Sequence, residues 1–164
     1  MQKTAEAGYN KVYAPVLICT YTRLDHLKRT IEALSNNACA ALTDLFVASD
    51  YPYEESHRLL VENVRAYLRT INGFKSVNII LRDRNFGVSA NYYDAIERIF
   101  DNYDRVILME DDIVTGRHFL DFINDGLRLH GPNSKVFAVN GYMWPMLQLE
   151  PVDDVIYLPL YNAW

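Results

Sequence analysis

Short apolar runs alternate with longer amphipathic stretches along most of the chain. Pro15-Val16-Leu17-Ile18-Cys19-Thr20 reads as a buried strand, and Leu27, Ile31 and Leu34 follow at helical spacing. Thr22 and Asp25 have the spacing of a capping box at the start of that helix. A second strand is expected over 45–49, stopping at Asp50. A helix over 56–71 then carries Leu60, Val64, Tyr67, Leu68 and Ile71 on one stripe. The unit repeats with a strand over 77–81 and a helix over 88–100, whose stripe is Val88, Tyr92, Ile96 and Ile99. A fourth strand over 105–109 runs into Glu110-Asp111-Asp112. A helix over 117–129 follows with Phe119, Phe122 and Ile123 inward, and then a fifth strand over 136–139.

Alternating strands and helices predict an α/β fold with a mostly parallel central sheet and helices on both faces. In such folds ligands lie beyond the carboxyl ends of the strands, near a switch in strand order. Residues 1–13 read as a mobile leader and 14–164 as one domain. After Asn140 the pattern becomes aromatic and irregular, with a short strand expected over 155–158. The apolar ending Tyr161-Asn162-Ala163-Trp164 reads as a cut within a longer protein, because natural termini usually fray in solvent.

Composition narrows the partners. The chain has 164 residues, half of them apolar, and a formal net charge of −5; its pI is about 5.3. That balance suits a globular domain and argues against nucleic-acid binding, which needs a basic face. An anionic substrate remains compatible with it, since a bound divalent cation reverses the local field. No run approaches the roughly 18 apolar residues of a membrane span, and the first residues lack the apolar core of a signal peptide. Two cysteines, Cys19 and Cys39, give no metal or disulfide spacing, and Cys19 sits in an apolar run as a structural thiol. A reducing, cytoplasmic setting is expected, at most peripheral to a membrane.

The chemistry gathers at the strand ends: Thr20, Tyr21 and Arg23 after the first, Asp50 after the second, Arg84, Asn85 and Gly87 after the third, and the acidic triplet after the fourth. Adjacent carboxylates after a buried strand repel one another. A hard divalent cation such as Mn²⁺ or Mg²⁺ relieves that repulsion and can bridge a diphosphate. The alternative is a solvated acidic turn that favours the N-terminus of the next helix. Asp50 is placed either to accept hydrogen bonds from a nucleoside or to close a turn before Pro52. Arg23 and Arg84 suit phosphate or base oxygens, or surface ion pairs. Asn85-Phe86-Gly87 opens a helix whose N–H groups can face a ligand, or forms an ordinary cap.

None of the four histidines, His26, His57, His118 and His130, pairs at metal spacing, and they read as solvent-facing, with His118 standing six residues after Asp112. Among the twelve tyrosines most read as core or rim packing. Tyr142, Trp144 and Tyr161 suit a platform for a sugar ring, or a hydrophobic edge.

Together these stretches resemble the GT-A glycosyltransferases, in particular family-2-like enzymes and the N-acetylglucosaminyltransferase I type. The first strand and loop, Pro15 through Arg23, carry part of the likeness. Asp50 stands where those enzymes hold uracil or ribose. Asn85-Phe86-Gly87-Val88-Ser89-Ala90-Asn91 resembles their Asn-x-Gly-x-x-x-Ala-x-Asn-like segment. Val106 through Asp112 resembles the strand and Asp-x-Asp element in a Glu-Asp-Asp form. The resemblance implies a Rossmann-like GT-A domain that binds a nucleotide diphosphosugar, UDP-linked, for a metal-assisted, inverting hexosyl transfer. By analogy Asp112 ligates Mn²⁺ or Mg²⁺, Asp111 supports it or bonds ribose, and Glu110 contacts the sugar or shapes the site. Arg84 lies near base or diphosphate, and Thr20, Tyr21, Arg23, Asp50, Asn85, Gly87 and Asn91 complete the donor site. The acceptor, a glycan, lipid or protein, stays open.

Relatives of this kind place a carboxylate general base in a later segment, expected here beyond Trp164; Glu150, Asp153 and Asp154 are the late carboxylates in the chain. One rival is therefore an inactive donor-binding fragment. A second is a phosphotransferase of the haloacid-dehalogenase type, on the outer spacing of Asp111 and Thr115, although Ile113 stands where a second Asp is expected. A third, a nucleotidyltransferase, lacks its Gly-rich loop between Thr20 and Leu24.

Overall fold

The computed structural model describes residues 13–133 and 135–141. The chain forms two compact units, Met1–Asp121 and Phe122–Trp164. The leader, the strand expected over 155–158, Tyr142, Trp144, Tyr161 and the late carboxylates Glu150, Asp153 and Asp154 lie outside the described residues.

The first unit is built on four parallel strands: β1 (Val16–Thr20), β2 (Asp44–Ser49), β3 (Ser76–Leu81) and β4 (Ile107–Glu110), in the order β3-β2-β1-β4. The helices between them are α1 (Leu24–Ser35), α2 (Arg58–Leu68) and α3 (Gly87–Phe100), with α4 (Phe119–His130) following β4. From β1 the chain steps outward through β2 to β3, then crosses back to lay β4 on the other side of β1. The order therefore switches between β1 and β4, and folds of this kind bind ligands beyond the strands' carboxyl ends at such a switch.

The strands hold because both faces are covered. In β1, Val16, Leu17 and Ile18 are all fully buried. Successive side chains point to opposite faces. On one face Leu17 and Ala48 pack with Ala95 and Ile99 of α3. The alternate positions Val16, Ile18, Leu45 and Val47 are also buried, and on that side α2 contacts β2 and α1. Leu27, Ile31 and Leu34 of α1 are buried as their spacing predicts.

Several local expectations need correction. No side chain caps α1; Arg23 takes the cap position and its guanidinium is used elsewhere, so Thr22 and Asp25 form no capping box. The buried stripe of α2 is Val61, Val64 and Leu68, while Leu60 is 47% exposed. That of α3 is Asn91, Ala95 and Ile99, with Val88 exposed. A core position held by a polar residue hides the true stripe from an apolar pattern. Helix α4 buries Leu120 and Ile123 but leaves Phe122 exposed. Its start is fixed by Asn37, buried after α1, whose side-chain oxygen accepts the Leu120 N–H at 3.1 Å.

In the second unit, 136–140 carries no strand. Phe137 is fully exposed, and a run of four apolar residues with no pairing partner does not hold extended structure. Val139 instead lies against α4 at Gly126, so closely that a Cβ there would stand 2.7 Å from its methyl carbon.

Candidate donor-binding site

The β1–β4 pairing sets Cys19 opposite Glu110 and so brings the acidic triplet beside Thr20. The Thr20 hydroxyl donates to Asp111 Oδ2 at 3.1 Å, and the Thr30 hydroxyl of α1 donates to the Asp111 carbonyl at 2.9 Å. Arg23 forks across the triplet, donating from Nη2 to Asp111 Oδ1 and from Nη1 to Asp112 Oδ2 at 3.0 Å. The three side chains differ in exposure: 4% for Asp111, 36% for Asp112 and 48% for Arg23. Partial burial opposes the charge on Arg23, but Asp111, with Asp112 and Glu110, outweighs it and holds the guanidinium above its ordinary pKa. The repulsion expected among these carboxylates is thus relieved in part from within the chain. Asp111, buried and held by two partners, is badly placed for the nucleophilic role that a haloacid-dehalogenase-like reaction would ask of it. Behind the strand, the Tyr92 hydroxyl donates to the Met109 carbonyl at 2.9 Å, and burial pushes its pKa up.

Asp50 extends the site under β2. Its carboxylate accepts the backbone N–H groups of Tyr51, Phe86 and Gly87 at 2.8, 2.8 and 2.9 Å. The N-terminal amides of α3 therefore point at Asp50. Gly87 makes this possible with φ +71°, a conformation that other residues rarely adopt. Asn85 reaches back with its amide to the Tyr51 carbonyl at 2.7 Å. These contacts show Asp50, Asn85 and Gly87 as one brace between β2 and α3.

Asn91 is buried inside α3. Its side-chain oxygen accepts Arg82 Nε at 2.8 Å, and its amide donates to the Ala48 carbonyl at 3.2 Å. Arg84 is exposed, its guanidinium 5.3 Å from the Phe86 ring centre. Tyr21 takes a place in a small network: its hydroxyl accepts the Tyr53 N–H at 2.8 Å and pairs with His57 Nδ1 at 2.8 Å. His57 Nε2 faces Glu54 at 3.1 Å. So His57, expected in solvent, is a partner of a candidate site residue.

Two arginines went unnoticed in the sequence. Arg82 is buried and pairs with Asp94 as well as Asn91. Arg65 of α2 donates to the carbonyls of Ser49, Asp50 and Arg82 at 3.4, 3.2 and 2.7 Å, tying off the ends of β2 and β3; burial lowers its pKa. Both sit on helices or strand ends as ordinary charged residues, and only the three-dimensional pairing reveals them. A groove of about 430 Å³ lies on the flank of Arg23, between Thr22–His26 and the α2 residues Leu60 and Asn63.

No protein-family model and no curated protein sequence matches the chain. Among solved structures it is similar to S. aureus TarS, a family-2 glycosyltransferase, at 13% identity and a TM-score of 0.54. The fold, a four-stranded all-parallel sheet flanked by helices, is a Rossmann-like α/β fold shared with part of TarS. The likeness covers 73% of this chain and 20% of the TarS chain, so the chain matches about a fifth of TarS. Among the described residues no helix is long and apolar enough to cross a membrane.

Proposed function

We propose that the carboxyl edge of the sheet is the donor site of a GT-A, family-2-like glycosyltransferase. The donor is a nucleotide diphosphosugar, UDP-linked on the family resemblance, and the acceptor a glycan, lipid or protein. The observation that carries this reading is the meeting of Thr20, Arg23, Asp111 and Asp112 at the β1–β4 switch point of a glycosyltransferase-type fold.

A divalent cation fits the donor set. Its ligands would be hard carboxylate oxygens, and the position already draws a positive group, the Arg23 guanidinium. Among the described residues no group of three or more His, Cys, Asp or Glu side chains gathers in ligating geometry. A cation here would therefore need the donor's phosphate oxygens to complete its shell, as Mg²⁺ does where a protein offers one or two carboxylates. Asp112, partly exposed, would hold the cation; Asp111, tied to Thr20, would orient its neighbour and add negative field. When bound, the cation supplies charge neutralisation at the departing diphosphate.

The chain's own groups have separable tasks. Thr20 and Thr30 fix Asp111. Tyr21, braced by Tyr53 and His57, forms one wall. Arg65 and Asp50 hold the ends of β2 and β3 in place. An acceptor hydroxyl would attack the anomeric carbon with inversion, its proton taken by a base from an acceptor-side segment.

Calorimetry with UDP tests the donor site. Binding is expected with Mn²⁺ and not with chelator, and Asp112→Ala should weaken it about a hundredfold. UDP binding indifferent to metal and to Asp112→Ala would remove the reading.

A further inference from the structure

The acidic triplet draws a cation, and the fold supplies one from the loop after β1. Among the described residues, the side-chain hydrogen bonds of Arg23 go to Asp111 and Asp112. It is a planar fork, pre-shaped for two oxygen acceptors, and phosphate offers the same geometry as a carboxylate. Its side chain is half in solvent, whereas Asp111 is 4% exposed and fastened to Thr20.

Asp112 Oδ2 is the contested atom. It accepts Arg23 Nη1 at 3.0 Å, and it belongs to the residue best exposed to take a metal. A divalent cation and a guanidinium on that oxygen would repel each other strongly. One must yield. The buried Asp111 charge cannot be left bare, so the guanidinium can move only when another cation arrives.

We propose that Arg23 is an exchangeable counter-ion: it holds Asp111 and Asp112 while the donor is absent, yields Asp112 to the donor's divalent cation, and turns to the diphosphate. This rests on the donor-site reading above. Metal alone must then displace Arg23 with no anion to receive it. The metal–nucleotide complex brings both a cation for the carboxylates and phosphate oxygens for the guanidinium. Metal and nucleotide therefore bind with positive coupling, and the coupling resides in Arg23.

Titrations with Mn²⁺ alone, UDP alone, and UDP in saturating Mn²⁺ separate the parts. In the wild type, Mn²⁺ alone should bind at least about tenfold more weakly than in the presence of UDP, a coupling within the usual range. Arg23→Gln should bind Mn²⁺ alone about tenfold more tightly than the wild type and lose most of the coupling. Arg23→Lys keeps the charge without the fork and should fall between; it also serves if the Gln variant folds poorly. Metal affinity unchanged or weakened in both variants, with Mn²⁺-dependent UDP binding intact in the wild type, overturns the exchange and leaves the donor site standing. No UDP binding by any of the three proteins removes the donor site and the exchange together.

Discussion

The two ends of the sheet handle buried acid in opposite ways. At the amino end Asp44 accepts hydrogen bonds from Lys75 at 2.7 Å, Ser76 at 2.6 Å and Tyr103 at 3.0 Å. One carboxylate meets one ammonium, and neutral hydroxyls fill the rest. At the carboxyl end Glu110, Asp111 and Asp112 face, among the described residues, the one guanidinium of Arg23. The first arrangement is saturated and has nothing to gain from a ligand. The second keeps surplus negative charge beside a switch in strand order, held by a side chain that is half in solvent. A balanced ion cluster belongs to the fold; an unbalanced one on a movable partner has capacity for an incoming ion. Asp50 is an intermediate case, buried at the carboxyl end yet satisfied by backbone N–H groups that cannot leave.

The comparison breaks first at Asp112. Replacing it with Ala should cost about a hundredfold in UDP affinity with Mn²⁺, about 2.7 kcal/mol, while moving stability by less than about 0.5 kcal/mol, since among the described residues its side chain is bonded to an exposed arginine. A large loss of stability would mean that the triplet is as structural as Asp44. Asp50→Ala should behave the other way. It strands half-buried backbone donors at the start of α3 and should lower stability by about 2 kcal/mol in urea denaturation.

Asp44→Asn comes next, at about 1.5 kcal/mol, with UDP binding unchanged. Burial pushes the Asp44 carboxyl up, but the bonds from Lys75, Ser76 and Tyr103 outweigh it and hold the pKa below the usual value. Because the folded value is depressed, the stabilisation is present above the unfolded value of about 4 and is lost as pH falls through the folded one. Asp44→Asn should therefore flatten the loss of stability below about pH 4 and leave the curve near neutrality parallel to the wild type. An acid limb of unchanged steepness would assign that loss to other carboxylates. The smallest effect is at Gly87, where Ala meets no neighbour but must adopt φ +71°; about 1 kcal/mol should be lost in the same denaturation measurement.

How much of this was legible from the chain depends on distance along it. The four strands of the first unit and the helices between them were readable, because apolar runs bounded by polar turns report local burial. The polar residues at the strand ends could be gathered by rule. Their pairing could not. Arg23 and Asp111 are 88 residues apart, and Asp50 and Gly87 are 37 apart. Those contacts exist because β4 returns to the side of β1 and α3 starts under β2. Asn91 misled the pattern for a different reason: Arg82 satisfies it, so a polar residue occupies a core position. The run over 136–139 misled in turn because apolar character alone does not supply a strand partner.

The seat of a divalent cation when the nucleotide is bound decides whether the carboxyl end of the sheet is the donor site. Paramagnetic broadening of amide signals by substoichiometric Mn²⁺ in the presence of UDP locates it. Broadening centred on Thr20, Arg23 and residues 110–112, absent in Asp112→Ala, is the predicted result. Broadening centred on Asp44 and Lys75, or spread over the surface carboxylates without regard to UDP, would contradict it.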